Sequence, residues 1–290
     1  MGLVRSFPSA GSTVRGVPVF ALANRIVLWA VFLTLALVCV YPMIWLFLNA
    51  FKTTNDMFAA TWGLPKVWHW ENFSKAWNYG ISRYLLNSLI VTTATVAIEL
   101  TLATMAAYAL VVLDFRAKAV IYILILGGAI LPPEVSLLPL FRVMAATGLY
   151  NTYFALILPN VAFGLPFTTF LIRAYMTGIP GELREAALMD GAREGRIFRE
   201  IYLPLCRPVL ASAGLISAMR VWNEFIFALT FVESETVKTV TIGVMSFAVA
   251  LRADWGVLMA GLALSILPIL ATFLVMQRQF VGGLTSGAVK

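Results

Sequence analysis

The chain has 290 residues, of which 61 % are hydrophobic and only 12 % carry a charge. Soluble globular proteins carry about 25 % charged residues, so this composition excludes an ordinary soluble domain and predicts an all-α polytopic membrane protein. The formal net charge of +7 comes from basic residues that are spread over many loops, which argues against a nucleic-acid-binding patch.

The residue types also exclude several chemistries. The sequence contains neither the phosphate-binding loop of ATPases nor the HExxH pattern of zinc proteases. Its single histidine, His69, offers no partner for a catalytic serine, and with two cysteines it leaves almost no ligands for a metal. The chain is therefore predicted to be a conduit rather than an enzyme, with no catalytic residue, no metal site and no cofactor of its own.

The chain begins with residues 1–24, which are polar, rich in Gly, Ser and Pro, and predicted to form a cytoplasmic tail. Six apolar segments follow, and each reaches the roughly 20 residues that a helix needs to cross a bilayer core. These predicted spans cover residues 25–51, 84–113, 119–145, 152–175, 208–231 and 255–276. The transmembrane domain is thus 25–276, and residues 277–290 form a C-terminal cytoplasmic tail.

Two features qualify this topology. The third span is expected to be kinked or broken, because Pro132 and Pro133 interrupt it. If the N-terminus is cytoplasmic, 13 of the 21 basic residues lie on the inner side, which predicts that both termini are inside.

An outer loop holds four tryptophans that form either an interfacial belt or a docking surface: Trp62, Trp68, Trp70 and Trp77.

A charged segment, residues 177–207, separates the fourth and fifth spans on the predicted cytoplasmic side. Pro180 and Glu182 suit the first turn of a short helix, and Gly191 suits its end. Arg196 and Glu200 form an i,i+4 pair on a second short helix. By spacing alone, this segment either lies on lipid headgroups or binds a protein in the cytoplasm.

The segment also carries a specific pattern: Glu-Ala-Ala, three residues, Gly, nine residues, Ile, one residue, Leu-Pro. It is matched at every fixed position by Glu185, Ala186, Ala187, Gly191, Ile201, Leu203 and Pro204. This pattern resembles the cytoplasmic coupling motif in membrane subunits of binding-protein-dependent ABC importers. Further segments resemble the maltose-type carbohydrate permeases, namely residues 158–160, 179–180, 222–225 and 277–285.

The resemblance implies a type I ABC importer permease fold in the inner membrane of a prokaryote. It implies a homologous second permease, two ATP-binding cassette subunits that hold ATP and Mg²⁺, an extracytoplasmic solute-binding protein and a sugar or sugar-like solute. Glu185 would contact an ATPase subunit, and the C-terminal tail from about Val281 to Lys290 would lie against the ATPase dimer. The residues assigned to coupling are Glu185, Ala186, Ala187, Asp190, Gly191, Ile201, Leu203 and Pro204.

Three ionisable residues, Glu99, Arg220 and Glu224, fall within apolar spans, where charges are costly and face the protein interior or a water-filled cavity. Arg220 and Glu224 are four residues apart, and Glu99 lies at a similar depth to Arg220. We therefore predict that Arg220 is neutralised by Glu224, by Glu99 or by both. The group either fixes helix packing or lines the solute path, together with three further candidates: Asn160, Trp222 and Asn223.

Two other functions are compatible with parts of the sequence. An ion-gradient-driven transporter would use Glu99 and Glu224 as ion sites, but it leaves the charged segment unexplained and has no evident inverted repeat. A membrane scaffold that recruits an ATPase would explain the segment but not the charges in the spans.

Overall fold

The computed structural model describes the backbone of residues 19–250 and 254–286, and the side chains of residues 24–249 and 254–274. Regular structure within these ranges is helical throughout, without a β-strand. A helix satisfies its own backbone groups, which lipid cannot do. Most of the predicted N-terminal tail lies outside the described residues, as does the end of the C-terminal tail from residue 287.

The helices of the described ranges are named here in chain order. They are α1 Val19–Asn49, α2 Thr54–Ala59, α3 Glu71–Ala76, α4 Ser82–Val112, α5 Lys118–Gly127, α6 Leu137–Ala146, α7 Tyr153–Met176, α8 Glu182–Met189, α9 Glu194–Ile197, α10 Leu203–Leu205, α11 Arg207–Trp222, α12 Ile226–Phe231, α13 Val240–Ala250 and α14 Trp255–Ser286. Short π-helical turns lie at Trp77–Ile81 and Phe198–Tyr202, and 3₁₀ turns lie at Gly128–Ile130 and Pro133–Ser136.

The chain divides into two compact units. The first covers residues 1–47 and contains most of α1, and the second covers residues 48–290. Within α1, the stretch Asn24–Asn49 has a mean hydropathy of 2.4. The helix begins at Val19, earlier than the predicted start at residue 25.

Four helical segments of the described residues are long and apolar enough to cross a membrane, and the number rises to six if each of two bent pairs counts as one span. The second span begins earlier than predicted, at Glu71, and is kinked at Gly80, whose φ of 129° is one that L side chains rarely adopt. The last helix, α14, continues past the predicted end at residue 276 to Ser286.

The prediction of a broken third span is confirmed. Its two helical arms, Lys118–Ile130 and Pro133–Ala146, meet at an angle of 92°. Pro132, between the arms, has an extended backbone with ψ of 135°. Two consecutive prolines remove two amide donors and disfavour the helical conformation of the residue that precedes each of them.

The prediction of a continuous fifth span over residues 208–231 is wrong. Helix α11 ends at Trp222, and α12 begins anew at Ile226. Sixteen residues give α11 a length of about 24 Å, which is short of the roughly 30 Å of a bilayer core. The helical arm before it, Glu194–Leu205, joins α11 at an angle of 74°.

The centre of the second unit is formed by α4, which packs against α7 and α11. Small residues allow this close approach, since Ala103 and Ala107 of α4 are fully buried. At Gly214 of α11, an added Cβ would lie only 3.2 Å from the Cδ1 of Leu100. The small side chains therefore set the distance between these helices.

The segment between residues 232 and 254, which separates the predicted fifth and sixth spans, contains the helix α13. Its 11 residues are too few for a span, so hydropathy did not single it out. The Asn87 side chain donates hydrogen bonds to the carbonyls of Thr236 and Lys238, at 3.0 and 2.8 Å, and Ser88 accepts one from the amide of Val240. These bonds fix the start of α13 on α4.

Candidate functional site

The charged segment 177–207 folds as two short helical arms joined by a tight turn. The first arm is α8, which ends at Met189, and the second begins with α9 at Glu194. Gly191 has φ of 77° and donates its amide hydrogen to the carbonyl of Leu188, and the amide of Ala192 donates to the carbonyl of Ala187. The predicted helix start, the helix end at Gly191 and the Arg196–Glu200 pair, at 2.8 Å, are all confirmed.

Glu194 joins three elements at this turn. Its carboxylate accepts hydrogen bonds from the Nε and Nη2 of Arg184 on α8, and forms an ion pair with that guanidinium. The other carboxylate oxygen accepts a 2.6 Å hydrogen bond from the Tyr108 hydroxyl near the end of α4. Glu194 therefore ties the exposed arm to a long helix of the transmembrane domain.

The second arm is held by apolar contacts. Ile197 and Tyr202 are buried, and Phe198 packs beside them in one core cluster with the ends of α4 and α7. The Tyr108 ring makes edge-to-face contacts with Phe198 and Tyr202, each with ring centroids 5.1 Å apart. Aromatic pairs of this geometry add to the stability from burial alone.

The coupling motif divides into an exposed half and a packed half. Glu185, Ala186, Asp190 and Gly191 are exposed on or just after α8. Ala187 and Ile201 pack against the core cluster, and Leu203 and Pro204 are half-buried. Three large apolar side chains of α8 stay exposed: Leu183, Leu188 and Met189, the last at 88 %.

We expect Glu194→Gln to loosen α8 while the rest of the protein stays folded, because the substitution removes the ion pair with Arg184 and the charged acceptor for Tyr108. The Arg184–Glu194 pair is partly exposed and so contributes modestly to stability. We therefore expect amide exchange over residues 182–189 to become about two- to five-fold faster. Hydrogen–deuterium exchange measures it. Glu200→Gln, which removes only exposed pairs with Arg196 and Arg199, serves as the control and leaves exchange over 182–189 unchanged.

The same anchor has a defined pH dependence. The Arg184 guanidinium, and after it the Tyr108 hydroxyl, hold the pKa of Glu194 below its ordinary value. A lowered folded-state pKa contributes stability above the unfolded value, about 4.3, and this contribution is lost as the pH falls through the folded value. Exchange over 182–189, corrected for intrinsic rate, should stay constant from pH 8 to about 5 and rise only below about 4. A rise near pH 6 would contradict the assignment.

A second cluster lies inside the helix bundle, around the carboxylate of Glu99. This side chain is 1 % exposed and accepts hydrogen bonds from Thr168 of α7 at 2.5 Å and from Ser217 of α11 at 2.8 Å. Its third partner is Arg220, whose Nη2 is 2.7 Å from the carboxylate. A buried carboxylate is stable only when it is paired and hydrogen-bonded in this way.

Arg220 also connects the cluster to Asn160. Its Nη1 donates to the Asn160 side-chain oxygen at 3.1 Å, and its Nη2 donates to the Asn160 backbone carbonyl at 3.0 Å. The Arg220 side chain is 36 % exposed, so part of it reaches the surface of this unit. Gly164 of α7 lies against the pair, and a Cβ there would overlap both the guanidinium and the Glu99 carboxylate.

The prediction that Arg220 pairs with Glu99 is thereby confirmed, whereas the expected face shared with Glu224 is wrong, because α11 ends between these two residues. The Glu224 carboxylate accepts hydrogen bonds from the amides of Phe227 and Ala228, at 2.6 and 3.1 Å. It caps α12, and this bonding explains the break in the predicted fifth span.

The other two path candidates are placed separately from the Glu99 cluster. Asn223 is exposed, and its side chain donates to the carbonyl of Met219. Trp222 is 7 % exposed and lines two neighbouring cavities, of about 540 and 450 Å³. The 540 Å³ cavity is also lined by Trp77, Ser82 and Arg83.

Gly164→Ala is expected to lower stability by about 1–3 kcal/mol, because the new methyl group must displace a buried ion pair. Gly127→Ala is the matched control: no atom lies within 4 Å of its added Cβ, and alanine favours helix over glycine. Thermal unfolding in detergent compares the two variants with the unsubstituted chain. An unchanged unfolding temperature for Gly164→Ala would mean that the pair is not confined as described.

The geometry can be set beside known proteins. Residues 99–283 match the family described as "Binding-protein-dependent transport system inner membrane component". The chain belongs to this family. It is a membrane permease of the ABC importer type, and it is not itself an enzyme, since ATP hydrolysis in such importers is the work of partner subunits.

Two relatives and one solved structure are similar to this permease. The "Probable ABC transporter permease protein YurM" of Bacillus subtilis is 47 % identical over 90 % of this chain and 87 % of its own length. The "Diacetylchitobiose uptake system permease protein NgcG" of Streptomyces coelicolor is 31 % identical over 91 % of this chain and 87 % of its own length. A crystallised bacterial ABC transporter involved in the import of the acidic polysaccharide alginate is 24 % identical, with a TM-score of 0.75 over 94 % of this permease and 100 % of that chain.

Sequence reasoning missed the role of five residues of these two clusters. Arg184 entered the topology only as a positive charge, and Glu194 and Tyr108 were not singled out. Thr168 and Ser217 are small hydroxyl residues in apolar spans, which is a weak signal because such residues are common there. The acid at the start of a predicted helix was the one usable hint for Glu194.

Proposed function

We propose that this permease forms, with a homologous second permease, the path by which a sugar or sugar-like solute enters a prokaryotic cell across the inner membrane. Two ATP-binding cassette subunits bind on the cytoplasmic side and hold ATP and Mg²⁺. An extracytoplasmic binding protein delivers the solute. The chain crosses the membrane six times, and both termini are cytoplasmic. The broken third segment counts as one crossing, and the fifth crossing begins with α11, after the cytoplasmic segment 177–207.

One observation carries the coupling mechanism. Helix α4 holds Tyr108, which bonds the Glu194 anchor of the coupling segment, and it also holds Glu99 of the buried cluster. Nine residues of helix separate them, or about 14 Å. A displacement of α8 by the closing ATPase pair is therefore passed along a rigid helix to the Glu99–Arg220 pair, at the junction of α4, α7 and α11.

The exposed half of the coupling motif is suited to contact the ATPase. Glu185, Ala186, Asp190 and Gly191 face outward, beside exposed apolar side chains of α8. A short helix with this mixture of charge and apolar surface fits a cleft on a partner protein. The packed half, Ala187, Ile201, Leu203 and Pro204, preserves the shape of the segment.

A sugar is the solute class that the polar and aromatic surfaces favour. The cavity at Trp222 is lined by two tryptophans together with Ser82 and Arg83, residue types that can supply stacking surface and hydrogen bonds to a sugar. Arg220 and Asn160 add further polar groups within the bundle. The name of the Streptomyces relative, which refers to diacetylchitobiose uptake, supports the same class.

The ion-gradient alternative has less support. It needs carboxylates that are open to bind ions, but Glu99 is engaged by Arg220, Thr168 and Ser217. Both oxygens of Glu224 accept backbone hydrogen bonds.

The test is purification of the tagged chain from its native membrane in mild detergent, followed by mass spectrometry and reconstitution. We expect a second permease and an ATP-binding subunit to co-purify, and uptake of a labelled oligosaccharide into proteoliposomes to require ATP. An ionophore should not abolish uptake. Uptake that needs an ion gradient instead of ATP would overturn the proposal, and co-purification of the ATPase without uptake of any solute would favour a scaffold.

A further inference from the structure

A cavity of about 440 Å³ opens where α4 ends, α5 begins and α7 ends. It has no role in the coupling segment or in the buried cluster. Three basic side chains line it, namely Arg116, Lys118 and Arg173. Its other walls are largely apolar and include Leu110, Tyr122 and Ile123.

Arg173 is held in place for an anionic partner. Its guanidinium carbon lies 4.1 Å from the centroid of the Tyr122 ring, as a cation–π contact. Its Nε is buried and has no hydrogen-bond partner among the described residues. A buried donor without an acceptor is costly. Arg173 also lines the cavity, where an anion would balance its charge.

The start of α5 adds further positive potential. Lys118 donates hydrogen bonds to the carbonyls of Val111 and Leu113, which fixes its ammonium group beside the cavity. The acid nearest to it, Asp114, is 3.9 Å away and fully exposed, so it offsets only part of the charge. Helix α5 has no side-chain cap at Ala117, and the amides of a helix N-terminus favour an anion.

The apolar side of the cavity points to the kind of anion. Ile123 is 66 % exposed and lies on α5 one turn beyond Ala119 of the lining, so an apolar strip leads away from the basic end. A soluble phosphate would leave this strip in water, whereas a phospholipid would place its headgroup at the cations and its acyl chain along α5. Basic pockets between transmembrane helices are known to hold anionic headgroups.

We propose that this cavity binds the phosphate headgroup of one anionic phospholipid at the membrane interface. The lipid lies beside the end of α4, which carries Tyr108 of the coupling anchor.

The experiment is native mass spectrometry of the full chain, purified with its partners and exchanged into nanodiscs that contain equal amounts of phosphatidylglycerol and phosphatidylcholine. We expect one tightly retained phosphatidylglycerol per chain. Arg116→Gln should weaken its retention about five-fold, the value of one charge near a membrane surface. Arg116 is exposed, so this variant should fold normally. Arg173→Gln should have at least the same effect, and Arg196→Gln, an exposed arginine outside the cavity, should have none.

Four results would overturn the proposal. The first is equal retention of the two lipids, and the second is unchanged retention in Arg116→Gln. The third is displacement of phosphatidylglycerol by millimolar inorganic phosphate, which would identify a site for a soluble anion. Cross-linking of the cavity to a partner subunit in place of lipid would also exclude it.

Discussion

Replacement of Arg220 by Gln should destabilise the fold by about 3–5 kcal/mol, because it leaves the Glu99 carboxylate buried without its counter-charge. Glu99→Gln should cost less, since the Arg220 side chain is 36 % exposed and retains its bonds to Asn160. The double variant Glu99→Gln with Arg220→Gln should recover much of the loss, because two neutral amides can hydrogen-bond where the ion pair was.

Thermal or denaturant unfolding of the four proteins in detergent gives the coupling energy of the pair. The control cycle uses Arg196→Gln and Glu200→Gln, whose pair lies at the surface, and it should give no measurable coupling. If the losses of unfolding free energy in Glu99→Gln and Arg220→Gln simply add in the double variant, the two side chains do not interact directly. Transport by the double variant then separates two roles: wild-type uptake by a folded double variant means that the pair serves packing, and lost uptake means that it lines the path.

Glu185→Arg should abolish ATP-driven uptake while the chain stays folded. Glu185 is exposed on α8, so reversal of its charge disturbs little within the chain. If α8 enters a cleft of the ATPase, the reversed charge meets groups that complement an acid, and such mismatches cost several kcal/mol. Recovery of the ATPase with the tagged chain should fall more than about ten-fold.

The matched control is Asp114→Arg, the same charge reversal at a fully exposed residue on the same predicted side of the membrane. It should leave recovery of the ATPase unchanged. The unfolding temperature of both variants should match that of the unsubstituted chain. If Glu185→Arg recovers as much ATPase as the unsubstituted chain, Glu185 does not contact the ATPase directly. If Asp114→Arg lowers recovery as much as Glu185→Arg does, the effect is a general one of charge.

Much of the architecture could be predicted from local sequence. Long apolar runs predicted the spanning helices, since hydropathy is summed over consecutive residues and lipid permits only helices. Pro132 and Pro133 predicted the break in the third span, because proline acts on its own backbone and on the residue before it. Gly191 likewise predicted the turn after α8, because a φ of 77° is a local backbone conformation that glycine adopts readily.

The break in the fifth span was not predicted, although its cause lies within the span. Residues 208–231 are apolar enough to suggest one helix, and Glu224 was expected on the same face as Arg220. Its carboxylate instead bonds the amides of Phe227 and Ala228. A carboxylate can serve as a helix cap or as an ion-pair partner, and hydropathy does not distinguish the two.

By itself, the sequence determined the membrane class, the long helices and the position of the coupling motif, because each depends on neighbouring residues. Only the tertiary structure decided that Arg220, which follows Glu99 by 121 residues in the sequence, is the partner of Glu99. It also decided that Glu194 joins Arg184 to Tyr108. It also brought Arg116 and Lys118 together with Arg173 around one cavity. These pairings depend on which helix faces pack together, and that packing is set by contacts between segments that are far apart in the sequence.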